Sequence, residues 1–375
     1  MRLTNKQIER KEEAKSFAKK KIVPIARECD EQGYYPVELI REMGEHGFLC
    51  PHIPEEDGGG NFDIYSIGLI NEQIGQASAS IRSVLTVQGM VALAIYKYGT
   101  KEQKDKWLPK LSRGEVIAGF ALAEEDAGSD SSNLSTSYCE VKEREYELNG
   151  KKTWITMGQL ASLFLVFARR GGEFSSFLVE RESAGITVEP VNGLLGLRAT
   201  MVADVTFSNV RIPKENLLGS PGIGLRFIAP VCLDYGRYTV AWGCVGLCQA
   251  CVNECFLYTD KRKQFGVRIK EFQMIQRMLA KMVALTKASR LMCWNSAVRK
   301  EEGDFNSVLE ICVAKYYASK AANEVATMAV QIFGANGCKN QYAIERYFRD
   351  AKISEIIEGS SQILEIMIAN NYIEE

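Results

Sequence analysis

The chain has 375 residues, enough for two or three cooperating domains around a large core, and 46 Lys and Arg against 47 Asp and Glu give a net charge of -1. This balance excludes a polyelectrolyte partner, so we expect no binding to nucleic acid. The sequence shows neither the apolar core of a signal peptide nor an apolar run of membrane-spanning length, and we expect a cytoplasmic protein with no membrane contact.

From residue 4 to about residue 115 the apolar residues recur with a helical period. Asn5 is predicted to cap a first helix that runs to Ile22, and Pro36 is predicted to open a second. Residues 51–62 form a predicted loop that contains three consecutive glycines. Further helices are predicted over 64–78, 80–98 and 101–111.

The middle of the chain changes to short runs with strand character, over 120–123, 138–141, 145–148, 163–167, 176–179 and 203–207. Turn dipeptides, Asn149-Gly150 and Gly171-Gly172, separate some of these runs. Because no helices of 10–15 residues intervene, the pattern predicts an antiparallel sheet or barrel rather than a dinucleotide-type βαβ unit.

The helical period returns near residue 222, with predicted helices over 225–258, 272–299, 307–333 and 360–372. The fold class is therefore α+β, with an N-terminal helical domain (1–117), a middle antiparallel β domain (118–221) and a C-terminal four-helix bundle (222–375).

The eleven cysteines do not predict disulfides or a metal site. Four of them follow one helical stripe at steps of four, three and four, which is typical of small buried hydrophobes: Cys244, Cys248, Cys251 and Cys255. With only two histidines, His46 and His52, the chain cannot form a histidine-rich metal centre, and few histidines are left for a Ser-His-Asp arrangement. The chemistry must then rely on a carboxylate or on a bound cofactor.

Glu358 is the strongest candidate for that carboxylate. It follows Ile356 and Ile357 and precedes Gly359, just before the last predicted helix. Apolar neighbours would desolvate the carboxylate and raise its pKa toward that of a working base. The free N–H groups nearby can polarise a substrate carbonyl. The alternative is that Glu358 only caps the helix or pairs with its dipole.

Four motifs place this residue in context. They read Phe-Ala-Leu-Ala-Glu-Glu-Asp-Ala-Gly-Ser-Asp (120–130), Asn-Gly-Lys-Lys-Thr-Trp-Ile-Thr (149–156), Arg-Lys-Gln-Phe-Gly (262–266, followed by Gln273) and Gln-Ile-Phe-Gly-Ala-Asn-Gly (331–337). In this order and spacing, the chain resembles the acyl-CoA dehydrogenase family of flavoproteins over essentially its whole length.

The resemblance implies FAD as the cofactor and no metal. The residues that it implies for FAD binding are Phe120, Leu122, Ala123, Ser129, Trp154, Thr156, Arg262, Gln264, Phe265, Gln273, Gln331, Ile332, Gly334, Ala335, Ser360 and Gln362. In relatives, the equivalents of Arg262, Phe265 and 331–335 reach the FAD of a neighbouring subunit. The resemblance therefore implies a homodimer or homotetramer.

Glu358 matches the catalytic base of the commonest family branch, whereas another branch places its base where this chain has Gly236. The implied reaction removes the alpha proton of an acyl thioester to Glu358, and hydride from the beta carbon to flavin N5. An electron-transfer flavoprotein or oxygen would then accept the electrons. The residues implied for substrate binding are Ala123, Ser129, Tyr235, Arg237, Ile357 and Gly359.

Arg237 has two interpretations, pairing with a buried carboxylate, which we favour, or holding an acidic group of the substrate. Tyr235, Tyr238 and Trp242 either shorten the acyl cavity or pack between helices. Departures from the family pattern at Ala123, Glu125, Ala335, Ile357 and Ser360 leave the base and the flavin scaffold intact, but they leave the substrate open.

The run over 234–246 resembles dehydrogenases that act on short acyl groups held by an acyl carrier protein. Those enzymes help to make hydroxymalonyl or aminomalonyl extender units for polyketides and related antibiotics, and we expect such a substrate here. The alternative is an acyl-CoA dehydrogenase of fatty-acid or amino-acid catabolism. An alternative of another class is a carrier-protein docking module without catalysis.

Overall fold

The computed structural model describes residues 3–142 and 144–373. Its first part is helical, and the helices are α1 (Asn5–Phe17), α2 (Ala26–Gln32), α3 (Val37–Glu45), α4 (Ile64–Ala77), α5 (Ala79–Tyr98) and α6 (Lys101–Ser112). Thr4, not Asn5, caps α1, because its side chain accepts a hydrogen bond from Gln7 N–H. Helix α2 was not predicted.

The middle part is a β domain of eight strands in the described residues, β1 (Ala118–Ala121), β2 (Ser137–Lys142), β3 (Glu145–Ile155), β4 (Leu163–Arg170), β5 (Glu173–Glu180), β6 (Ile186–Pro190), β7 (Ala203–Pro213) and β8 (Leu217–Leu218). The strand order is β6-β7-β3-β2-β4-β5-β8, and β1 pairs with β4. The pairing is antiparallel except where β1 and β2 run parallel to β4. A separate apolar core fills this domain.

The prediction of a turn at Asn149-Gly150 was wrong, because both residues lie inside β3. The register of β3 against β7 shifts between Leu148 and Gly150, so the dipeptide marks a bulge. A Cβ on Gly150 would lie 2.6 Å from the Thr136 Cα, and only glycine permits that approach. By contrast, Gly171-Gly172 does connect β4 to β5, as predicted.

The last part is helical again, with a short hairpin of β9 (Lys263–Gln264) and β10 (Val267–Arg268). Its helices are α7 (Ala229–Lys261), α8 (Gln273–Glu301), α9 (Ser307–Phe333), α10 (Ile344–Ser354) and α11 (Ser361–Ile373). The α+β fold class is confirmed, whereas α10 was not among the predicted helices. The four cysteines of the α7 stripe are buried and free, as expected.

Helices α4 and α5 pack closely on α7 at glycines. A Cβ on Gly68 of α4 would lie 2.4 Å from the Trp242 indole, and one on Gly89 of α5 would lie 2.4 Å from the Tyr235 ring. Trp242 and its neighbour Tyr238 therefore pack between helices. Helix α7 is thus held against α5 at the level of Tyr235 and Gly236.

Two helical segments, Ala79–Tyr98 and Gly224–Lys261, have the length and hydropathy of a membrane span. The statement that no apolar run reaches that length was therefore wrong. The fold buries 83% and 72% of their apolar windows, respectively, which is the environment of core helices in a helical protein.

Candidate active site

Glu358 lies in the short connection between α10 and α11, in an unusual backbone conformation. Its φ is +55° and that of Gly359 is +96°, so two consecutive residues are left-handed. Ser361 N–H donates to the Glu355 carbonyl at 3.0 Å, and Ser360 Oγ accepts a hydrogen bond from Ile363 N–H at the start of α11. The connection therefore turns sharply and points the Glu358 side chain inward.

The Glu358 carboxylate packs directly on Gly236 of α7. A Cβ on Gly236 would lie 2.3 Å from Glu358 Oε2 and 3.1 Å from Met90 Sδ of α5. Oε2 is buried and has no hydrogen-bond partner in the described ranges. The carboxylate thus occupies the space beside the position at which the other family branch places its base.

Burial raises the pKa of Glu358 to about 7, against the opposing effect of Arg237, Lys315 and Arg82. Of the two apolar neighbours that the sequence suggested as the cause, Ile356 is exposed and Ile357 is half-buried against the core. Packing on α7 and α5 adds to the desolvation. A pKa near 7 suits a general base at neutral pH.

Three buried cations surround Glu358, and they come from three helices. Arg82 lies on α5, Arg237 on α7 and Lys315 on α9. Within residues 3–142 and 144–373 Arg237 forms no ion pair shorter than 4.0 Å, although its charge lowers the pKa of the buried Glu358 carboxyl, and the preferred interpretation, pairing with a buried carboxylate, stays a prediction. The Arg237 Nε donates to the Glu358 backbone carbonyl at 3.2 Å, and its Nη1 contacts Cys312 Sγ.

The Glu358 backbone N–H donates to no acceptor among the described residues. It is therefore free to donate to another acceptor, such as a substrate carbonyl. Of the other residues expected to contact substrate, Ile357 and Gly359 flank Glu358 and Tyr235 is buried against α5, whereas Ala123 and Ser129 lie in the middle domain.

An ion pair that the sequence reasoning missed orders the first flavin motif. Glu124 accepts hydrogen bonds from Lys152 Nζ (2.7 Å), Ser135 and Thr136, and Lys152 also donates to the Leu122 carbonyl at 3.1 Å. Burial pushes the pKa of Glu124 upward, but these hydrogen bonds outweigh it and lower that pKa to about 2. The pair clamps the loop after β1 to the end of β3, where the second motif lies.

The middle-domain residues expected at the flavin lie within five residues of Glu124 or Lys152 in the sequence. Phe120 packs against Phe167 with ring centroids 5.2 Å apart, and Thr156 is half-buried. Trp154 is 63% exposed and left-handed (φ +59°), so it is not a core aromatic. An exposed ring of this size beside Thr156 suits a planar cofactor. Ser129 is exposed next to Gly128, whose surroundings are open within 4 Å.

A second group of expected FAD residues lines one groove of about 550 Å³, where the end of α7 and the β9–β10 hairpin face the end of α9. Arg262, Gln264, Phe265, Ile332, Gly334 and Ala335 all line it. Phe265 is 94% exposed, which is unusual for a phenylalanine in a folded monomer. Gln273, Gln331 and Gln362 are exposed on their helices outside this lining, and Ser360 stays with Glu358.

The structure therefore gathers the predicted residues into three groups: the Glu358 turn, the clamped middle-domain loops, and the groove at Arg262. Within the described part of the chain, no hydrogen bond, ion pair or ring contact joins one group to another. The exposed Trp154, the exposed Phe265 and the open glycine at Gly334 fit a large planar and phosphorylated cofactor such as FAD. Among the described residues, no cluster of three or more metal-ligating side chains occurs.

The chain has a helical part, a β part and a second helical part, together with a desolvated carboxylate and exposed aromatic side chains that suit a flavin. These features are those of the flavoprotein dehydrogenases as a class. The comparisons give the family. Three family descriptions, "Acyl-CoA dehydrogenase, N-terminal domain", "middle domain" and "C-terminal domain", match residues 4–115, 119–210 and 222–373. The chain belongs to the acyl-CoA dehydrogenase family. It is an oxidoreductase acting on CH–CH groups, and its cofactor is FAD.

Curated relatives match nearly the whole chain. Glutaryl-CoA dehydrogenase of Desulfococcus multivorans is 37% identical over 95% of this chain and 94% of its own length. The mitochondrial short-chain specific acyl-CoA dehydrogenase of Mus musculus is 37% identical over 95% of this chain and 87% of its own length. A glutaryl-CoA dehydrogenase from Mycobacterium smegmatis, solved in complex with FADH2, has a TM-score of 0.94 and is 26% identical over 100% of this chain and 96% of that chain.

Two further solved structures, AnaB and FkbI, are also similar. The prolyl acyl carrier protein oxidase AnaB has a TM-score of 0.94, is 26% identical, and covers 99% of this chain and 100% of its own. FkbI, described for biosynthesis of the methoxymalonyl extender unit of the Fk520 polyketide, has a TM-score of 0.89, is 29% identical, and covers 98% of this chain and 99% of its own.

Proposed function

We propose that the protein oxidises the alpha-beta bond of a short acyl thioester, with Glu358 as the base. The observation that carries the proposal is the desolvated Glu358 carboxylate on Gly236, with a pKa near 7 and a free backbone N–H beside it. The carboxylate takes the alpha proton, and the N–H donates to the thioester carbonyl as negative charge develops on its oxygen.

The cofactor is proposed to lie against Trp154, Thr156 and the loop held by Glu124, with its diphosphate near Ser129. When bound, FAD supplies the hydride acceptor that the side chains of the protein lack. An electron-transfer flavoprotein, or another acceptor, is proposed to reoxidise it.

The acyl donor is proposed to be an acyl carrier protein, with coenzyme A as the alternative. The resemblance of residues 234–246 and the similarity to AnaB and FkbI support the carrier. The higher identity to glutaryl-CoA and short-chain acyl-CoA dehydrogenases supports coenzyme A. Both donors present a thioester, so the residues at Glu358 serve either.

The acyl group is proposed to carry a polar or acidic substituent. Arg82 is buried and donates to Thr86 Oγ1 at 2.7 Å, but it forms no ion pair in the described ranges, and neither does Arg237. Three buried cations around the single Glu358 carboxylate leave positive charge in excess, which favours a ligand that brings negative charge or hydrogen-bond acceptors.

Anaerobic bleaching of the bound flavin tests the proposal with short acyl groups that carry hydrogen, hydroxyl, amino or carboxylate substituents. Each acyl group is offered on coenzyme A and on a carrier protein. We expect faster bleaching with the carrier-bound, polar members of the panel. Faster bleaching by unsubstituted acyl-CoA would favour the catabolic alternative. A purified protein that is colourless and lacks FAD would favour the docking module.

Replacing Arg262 by Ala is expected to weaken FAD binding about 10- to 100-fold, because a charge-assisted hydrogen bond to a phosphate contributes roughly 1.5–3 kcal/mol. The dissociation constant is measured by reconstitution of the FAD-free protein, and Lys263→Ala, at the next residue, is the matched control. Unchanged FAD affinity in R262A would remove this groove from the cofactor site.

We also propose that a second copy of the chain covers Phe265, as a homodimer or homotetramer.

A further inference from the structure

The turn that carries Glu358 requires external support. A left-handed residue other than glycine is strained, and such strain persists only where the surroundings determine the conformation. Two cations hold the carbonyls of this turn: Arg237 donates to Glu358 O at 3.2 Å, and Lys315 Nζ donates to Gly359 O at 2.6 Å. Each left-handed residue therefore has its carbonyl fixed by a buried positive charge.

Lys315 is the more unusual of the two. Its exposed fraction is 0%, and in residues 3–142 and 144–373 no carboxylate lies within 4.0 Å of its Nζ. Burial lowers the pKa of Lys315 to about 8, so it still carries a proton at neutral pH. A buried ammonium without a carboxylate partner destabilises a fold, and a methionine would fill the same space without that penalty.

The position of Lys315 in α9 also indicates that the lysine is not there for packing. Ile311, Ala318 and Ala322 are buried on its face of the helix, at the spacing of an apolar stripe. Lysine stands where packing alone would select an apolar residue, and its hydrogen bond goes to the residue after Glu358. The charge therefore has a use at the turn rather than in the core.

We propose that Lys315 is the positioning residue of the base. Its ammonium fixes the Gly359 carbonyl and so keeps the left-handed turn that points Glu358 at the substrate, and its positive charge favours the carboxylate form of Glu358. The inference rests on the proposed role of Glu358. The charged groups that act on Glu358 are Arg82 from α5, Arg237 from α7 and Lys315 from α9, so removing one of three cations should shift the titration without abolishing it.

The first test needs no turnover. The difference in melting temperature between the holoprotein and its E358Q variant is followed from pH 5 to pH 9, since its midpoint reports the pKa of the Glu358 carboxyl. In a K315M background we expect this midpoint to rise by roughly one pH unit. Lys320→Met, on the same helix but exposed and paired with Glu365, is the control and should leave the midpoint in place. An unchanged midpoint in K315M would overturn the electrostatic part of the proposal.

The second test is the rate of flavin bleaching against pH, with saturating substrate. K315M should be slower at pH 7, about fivefold for a one-unit rise in the pKa of Glu358, with little change in KM, and this loss should recover as the pH rises toward 9. K315R, which stays charged, should keep most of the wild-type rate at pH 7. K315Q retains a donor for the Gly359 carbonyl without the charge, so it should show the pH shift with a smaller loss.

A rate that falls equally at every pH, or only in proportion to lost FAD, would leave Lys315 with a structural role and overturn the proposal. If K315M does not fold, K315Q supplies the neutral variant for both tests. Failure of the proposed function looks different, because then the wild-type holoprotein would not be bleached by any thioester of the panel, while the melting-temperature midpoints would still shift.

Discussion

Replacing Glu358 by Gln is expected to lower the rate of flavin bleaching by about 10²- to 10⁴-fold while FAD stays bound. The range is the usual contribution of a positioned general base. Glutamine keeps the shape of the side chain and the turn, but it cannot accept the alpha proton. Rapid-mixing absorbance under anaerobic conditions measures the rate, and the flavin spectrum before mixing measures FAD content.

The same variant tests the electrostatics without substrate. Because the folded-state pKa of Glu358 is raised from 4.5 to about 7, the native protein holds a proton that the unfolded chain has already released between these values. The stability of the wild type should therefore fall as pH rises from about 4.5 to about 7 on account of this group. E358Q lacks that loss, so it should melt at a higher temperature than wild type above pH 7.

Glu355→Gln is the matched control, because Glu355 lies three residues earlier and pairs with the exposed Lys352. It should bleach at the wild-type rate and should not melt at a higher temperature than the wild type above pH 7. If E358Q were bleached as fast as wild type, the proton acceptor would have to be another group. If its melting temperature followed that of wild type at every pH, Glu358 would not be desolvated as the structure shows.

The rate of the wild-type enzyme should itself depend on pH. Glu358 must be ionised to accept a proton, so the bleaching rate should rise with pH through about 7 and then level off. A rate that is flat from pH 5 to pH 8 would contradict a base with this pKa.

The long helices of this fold could be predicted because their apolar periods extend over many turns. Helix α9 begins at Ser307 and ends at Phe333, as the pattern predicted, since Gly334 stops it with φ +59°. The Asn149-Gly150 turn was wrong because a local turn signal competes with pairing on both sides of β3, and tertiary pairing prevailed. Local chemistry does not reveal which strands flank a dipeptide.

In the site, too, local sequence predicts some features and tertiary packing determines the others. Glu358 could be identified from its motif, but the source of its desolvation could not, because Gly236 and Met90 lie more than a hundred residues away in sequence. Lys315 left a readable signal, a lysine on an apolar helical stripe, which was not used. Arg82 likewise lies in an otherwise largely apolar helix. A charge at a core position of a strongly periodic helix is therefore worth treating as a site candidate before the fold is known.

Replacing Gly236 by Ala is expected to displace the base from α7 and to lower the bleaching rate by about 100-fold. The new Cβ would lie 2.3 Å from Glu358 Oε2 and 2.7 Å from its Cδ, distances that no packed structure keeps. The carboxylate must move by about 1 Å, and a misplacement of that size near reacting atoms costs about 10²-fold in rate. Alanine is a better helix former than glycine, so α7 itself should persist.

Two observations separate this displacement from general damage. FAD content should stay at the wild-type level, because Gly236 lies outside the groups expected to bind the cofactor, and the KM should change less than kcat. The control is Gly222→Ala, before α7, where a Cβ would meet nothing closer than 3.9 Å although the left-handed φ of +85° adds local strain. It should lower the melting temperature without the 100-fold loss of rate. Wild-type bleaching by G236A would mean that the carboxylate does not act from its place on this glycine, and the base would then have to reach the substrate from a different conformation of the 355–361 connection.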